Sequence, residues 1–230
     1  MLYPNVDKAT LKELYSVQNL SMMQISKVLG CSHHKVAYWM TEYKISRRSI
    51  SQAVYLRSNP NGDPFKTRQP KTTDELILYG LGIGLYWGEG TKSSKNAVRL
   101  GNSDPILIKI FTTFLMQLYG IDKNSIKYGL QIFSDINPEK ALQYWADTLN
   151  VKKTQFYNPI VTISGSIGTY RNKSKYGVVT INFGNTKLRN ILVEQIAEIA
   201  QLVEHVSGND EVTGSNPVLG SIDSKAKTQT

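Results

Sequence analysis

In the first fifty residues, apolar side chains recur every three or four positions in three short runs, each preceded by a helix-opening residue. Asp7 precedes Leu11, Leu14 and Tyr15, and Ser32 precedes Val36, Trp39 and Met40. Between them, Ser21-Met22-Met23-Gln24 is a capping box ahead of Ile25, Val28 and Leu29. Gly30 and Cys31 fill the turn before the third run. A short helix then extends over Ser49–Arg57 through Ile50, Ala53, Val54 and Leu56. Periodicity stops at the prolines and glycine of residues 58–72 and resumes after Thr72-Thr73-Asp74-Glu75, a second capping box. Ala97–Leu100 reads as a strand. Asp104 and Pro105 open a helix striped by Ile106, Ile110, Phe114 and Leu118 and closed by Gly120. Ser125–Phe133 alternates apolar and polar positions, Pro138–Leu149 is helical, and Ile160–Ser164 and Tyr176–Phe183 are strands. Lys187–Val203 is a closing helix.

These elements predict a two-part α+β chain. Residues 1–57 form a three-helix unit with helix-turn-helix spacing, and residues 58–72 form a basic linker. Residues 73–206 form a domain with helices on one face of an antiparallel sheet, and residues 207–230, lacking apolar periodicity, are expected to be disordered. The other sheet face is then polar: Lys127, Gln131, Thr180 and Asn182 fall on it, with Arg171, Lys173 and Lys175 in the turn at a strand end.

Charge gives this arrangement a partner. With 27 basic and 18 acidic residues the chain carries +9, and its pI is near 9.4. Such a balance favours an anionic partner, and double-stranded DNA fits the elements. The third helix turns His33, His34, Lys35, Tyr38 and Thr41 outward, where a recognition helix meets base edges. Arg47 and Arg48 follow as candidate phosphate or minor-groove contacts. On the sheet, lysine, glutamine and asparagine match base edges in the major groove. A single cysteine excludes an intramolecular disulfide and a cysteine-based zinc site. No signal peptide and no membrane span are apparent, so the expected location is cytoplasmic, with the nucleoid.

The run Gly80-Leu81-Gly82-Ile83-Gly84-Leu85-Tyr86-Trp87-Gly88-Glu89-Gly90 is the least ordinary helix in the chain. Gly80, Gly84 and Gly88 share one face at a cost of about 1 kcal/mol each. Small residues spaced this way let two backbones approach closely, and Glu89 would then sit at the foot of such a seam. Residues Gly82 to Gly90 resemble the motif of the LAGLIDADG homing endonucleases, with Glu89-Gly90 on its closing Asp-Gly. Leu100-Gly101-Asn102-Ser103-Asp104-Pro105 and the helix after it are also similar to that family, and the resemblance spans roughly residues 73–197. Gly82 and Trp87 depart from the motif.

The resemblance implies a homodimer through Gly80, Gly84 and Gly88, since the chain carries one motif. It implies Mg²⁺ or Mn²⁺ held by Glu89 and the Gly88 carbonyl, and cleavage of both strands of a nearly palindromic site. A basic residue acting beside the acid is expected as well, at no position that the motif identifies. The alternative is a DNA-binding regulator that keeps the domain without cutting. The first fifty residues resemble the helix-turn-helix modules of resolvases and other mobile-element proteins.

Ala197–His205 and Gly214–Val218 look like a tRNA gene translated as protein, with D-arm bases permitted under Ala200–Glu204 and T-loop bases under Gly214–Asn216. The reading frame then overruns such a gene, as expected for an element inserted beside one.

Overall fold

A computed structural model describes residues 6–163 and 174–207, with side chains described to residue 203. It divides into two compact units, the first ending at Pro64 and the second starting at Phe65.

In the first unit, the Asp7 carboxylate accepts the Thr10 N–H at 2.9 Å and opens α1 (Lys8–Lys12), which runs into one π-helical turn, Glu13–Val17. The Ser21/Gln24 box forms reciprocally and opens α2 (Met22–Val28). Gly30, at φ +61°, turns the chain, and Ser32 caps α3 (His33–Glu42). Leu11, Leu14, Tyr15, Ile25, Val36 and Met40 meet in the core. Val28 does not join them and is 62% exposed. The inward stripe of α2 runs through Met22, Ile25, Ser26 and Leu29, and at 100° per residue Val28 falls outside it. The Ser26 hydroxyl is tolerated inside because it donates to the Met23 carbonyl at 2.8 Å. α4 (Ile50–Ser58) starts on a second complete capping box, Ser49/Gln52, and buries no side chain.

The expected linker 58–72 is not one stretch. Its start completes α4, and from Phe65 onward it is fastened to the second unit. Phe65 is buried in the main core, and Lys66 N–H donates to the Tyr119 carbonyl at 2.8 Å. Arg68 reaches the Gln117 carbonyl and pairs with Glu75 at 2.7 Å. This pairing also changes the second capping box. Thr72 Oγ1 accepts the Glu75 N–H at 3.2 Å, but the Glu75 carboxylate takes the Arg68 fork and the Lys71 N–H. A charge-assisted fork outcompetes a neutral backbone donor.

The second unit runs α5 (Thr73–Glu89), β1 (Val98–Asn102), α6 (Pro105–Tyr119), β2 (Lys127–Phe133), α7 (Pro138–Leu149), β3 (Ile160–Thr162), β4 (Val178–Phe183) and α8 (Thr186–Ser207). The sheet order is β1-β4-β2-β3. β4 is antiparallel to both neighbours, whereas β3 runs parallel to β2. The described residues therefore form an α+β chain of eight α-helices and a four-stranded mixed sheet, not the antiparallel sheet expected. α7 lies in the connection from β2 to β3 and carries the chain back to the same end, which makes the pair parallel.

Val98, Leu100, Tyr128, Leu130, Ile132, Val179, Ile181 and Phe183 cover one sheet face and pack with Ile83, Tyr86, Phe111, Leu115, Trp145, Leu188 and Leu192 of the helices. α6 is inserted against both α5 and the sheet, so its buried arc is broad and includes Ile108, Phe111 and Leu115. Ile106, expected in its stripe, is 65% exposed in the first turn.

Candidate nucleic-acid interface and acidic helix end

The sheet face turned away from the helices is organised in rows across the strands. Strand register aligns Arg99 of β1, Asn182 of β4 and Lys127 of β2 in one row. The next row is Gly101, Thr180 and Gly129, and beyond it Val178, Gln131 and Ile160 align. None of these side chains is acidic. The rows are tied laterally. Arg99 Nε donates to Asn182 Oδ1 at 3.4 Å, and Asn182 Nδ2 donates to Tyr157 Oη at 3.1 Å. Lys127 Nζ donates to the Thr154 carbonyl at 3.4 Å, and Gln131 Nε2 donates to Thr162 Oγ1 at 3.2 Å. The middle row is low: a methyl group on Gly101 would lie 2.9 Å from Thr180 Oγ1.

The structure thus groups Lys127, Gln131, Thr180 and Asn182 on one open face. It adds Arg99 and Tyr157, which periodicity did not single out. Only their cross-strand neighbours reveal them, and those are remote in sequence. Lys175 is exposed in the turn before β4, its ammonium 5.4 Å from the Tyr176 ring centre. Arg171 and Lys173 lie outside the described residues.

α5 leads to the edge of this face. Gly90 N–H donates to the Tyr86 carbonyl at 3.0 Å, and Gly90 is bridged to Leu100 of β1. Any side chain at Gly90 would collide with the Tyr86 carbonyl and ring, so glycine here serves close approach; its φ is −69°. Thr91 N–H donates to the Arg99 carbonyl at 2.9 Å, which sets the exposed Glu89 two residues from the β1 edge.

Cations fasten the turn that follows. Lys92 Nζ donates to the Trp87 carbonyl at the negative helix end. Arg189 of α8 donates to the Lys92 carbonyl at 2.6 Å. Beneath them the buried Tyr86 ring stacks on Phe111 at 5.8 Å. Burial pushes the Tyr86 phenol above its ordinary pKa, with nearby Arg189 acting in the opposite direction. Lys92 and Arg189 are the basic groups that the fold brings to this helix end.

Oxygen donors of the class that Mg²⁺ takes are present at Glu89 and the Gly88 carbonyl. One chain supplies few of them. Among the described residues no group of three or more His, Cys, Asp or Glu is placed to hold a metal.

The two sides of α5 differ. A methyl group at Gly82 would lie 2.2 Å from Cγ of the buried Phe114. At Gly80, Gly84 and Gly88, among the described residues, nothing lies within 4 Å of where a side chain would begin. Around these three glycines Leu76, Ile77 and Leu81 are exposed by 58, 56 and 47%, and Trp87 by 40%.

On α3, His34 and Tyr38 are exposed, while His33 and Lys35 are half-buried. Ser32, Lys35, Tyr38 and Trp39 line a shallow hollow, and the buried Trp39 Nε1 has no described hydrogen-bond partner. Arg47 is exposed. Arg48 is engaged within the unit. Its guanidinium lies 4.1 Å over the Tyr15 ring and donates to the carbonyls of Tyr15 and Asn19.

No protein-family model matches the chain, and no curated protein or solved structure matches it. No described helix is long and apolar enough to cross a membrane.

Proposed function

We propose that the protein binds double-stranded DNA as a homodimer and cuts both strands in a reaction that depends on Mg²⁺ or Mn²⁺, the activity that its LAGLIDADG resemblance implies. The observation that carries this reading is α5. One side is locked into its own core, the other is uncovered by any described residue, glycine-lined and apolar, and its last residue is an exposed carboxylate beside the β1 edge. A second copy along the bare side would bring two Glu89 carboxylates together. Two such charges repel unless a cation lies between them. The acid-free face with Arg99 and Lys127 supports duplex binding, as does the +9 charge. α3 with Arg47 would contact a second stretch of the same DNA as a helix-turn-helix.

The bound metal would supply an activated water and charge stabilisation at the scissile phosphate. Glu89 and Gly88 would hold it, and Lys92 and Arg189 would fix the turn behind them.

A plasmid library carrying the host tRNA locus, incubated with and without Mg²⁺ or Mn²⁺, tests the reading. We expect linear product only with metal, and a loss of about 100-fold or more in Glu89→Gln, with DNA binding kept. Normal cutting by Glu89→Gln would remove Glu89 from the reaction. Tight, sequence-specific binding without cutting would favour the regulator. That second reading is supported by the departures from the motif at Gly82 and Trp87.

A further inference from the structure

Arg99 stands on the open sheet face with Asn182 beside it and Lys127 beyond. Its Nε is used, donating to Asn182 Oδ1 at 3.4 Å. The Asn182 amide is held from its other end, where Nδ2 donates to Tyr157 Oη at 3.1 Å. Reversing the amide would set its NH₂ against the Arg99 N–H, donor against donor, so the network admits one orientation. Arg99 is itself exposed, and among the described residues its two terminal amines donate to nothing.

A guanidinium is a planar fork with five N–H donors. With Nε occupied, the edge formed by the two terminal amines is left free, and its plane is set by Asn182. In the major groove guanine alone offers two acceptors side by side, N7 and O6. The neighbouring row, Gly101-Thr180-Gly129, carries no side chain longer than threonine, so a base edge can approach there.

We infer that Arg99, positioned by Asn182, reads a guanine in the bound duplex and fixes a G·C pair in the target. This rests on the DNA-binding reading above and names what that face selects. In a two-fold dimer the same pair recurs once in each half-site, on opposite strands.

The test is selection of the full-length protein on a randomised duplex library, repeated with Arg99→Lys and Asn182→Ala. The unmutated protein should enrich a site with one fixed G·C pair per half-site. Arg99→Lys keeps the charge and loses the fork, so preference at that pair should fall roughly 10- to 100-fold while other positions keep theirs. Asn182→Ala removes no charge, yet should relax the same pair, a shift that a purely electrostatic face would not show. Identical preferences in all three proteins, or a uniform loss at every position, would overturn the inference. If the unmutated protein binds duplex in a salt-sensitive manner but enriches no sequence, the guanine assignment fails and DNA binding stands. If it binds no duplex, both fail.

Discussion

Gly82 and Gly84 are two residues apart on one helix and answer to different neighbours. Gly82 is small because Phe114 of the same chain presses on it. Gly84 has no described residue within 4 Å above it, and apolar Leu81, Ile77 and Leu76 are exposed along the same helix. The first glycine is explained by the core. The second costs helix stability with no return from the described residues, and a second chain on this side of α5, as proposed above, would supply one. Identical residues thus answer to an internal contact in one place and, in the dimer proposed above, to an external one in the other.

The contrast breaks most sharply at Gly82. Gly82→Ala gains helix propensity but drives a methyl group into a buried ring, and we expect a net loss of about 2–3 kcal/mol in chemical unfolding. At Gly84 the sign inverts. Gly84→Ala should leave a single chain as stable as before or up to about 1 kcal/mol more so. Gly84→Leu should unfold normally yet sediment as a monomer at concentrations where the unmutated chain is a dimer. A monomeric parent would dissolve the distinction between the two sides.

The smallest effect lies at the start of the same helix. The Arg68 fork holds the Glu75 carboxyl down from 4.5 to about 2, helped by the Lys71 N–H. A lowered folded-state pKa adds stability that is present above about pH 4.5 and is lost as pH falls toward 2. The pair lies at the surface, so salt should weaken it further. Arg68→Met should therefore shift the unfolding midpoint at pH 7 and change it little at pH 2. An equal shift at both would assign Arg68 to packing alone.

Local chemistry was legible in the sequence. Asp7, the Ser21/Gln24 box, Ser32, Asp104-Pro105 and Gly120 act within a turn of their own position, and all cap the helices expected of them. Alternation in β2 and β4 fixed which residues face the core. What depends on remote neighbours was hidden. Alternation is the same in either strand direction, so it could not reveal the parallel β3. Arg99 sits in a five-residue strand, and its partner Asn182 is 83 positions away. Arg48 reads as a free basic residue until Tyr15 and Asn19 take it up. Glycine spacing puts Gly80, Gly84 and Gly88 on one face and Gly82 on the other, but only the position of Phe114 shows which side packs on the core.

Among the described side chains of α8 the last buried one is Ile196, with Ile199 packed at the margin and Leu202 and Val203 exposed. The tRNA-like reading starts at Ala197. On that reading, one stretch of nucleotides serves two masters without conflict. Bases before codon 197 would then serve the protein core, and bases from it onward the pairing of an RNA. Ile199, packed at the margin of the core, would answer to both. A helix that buries little beyond Ile196 would let such an overlap cost the protein fold little.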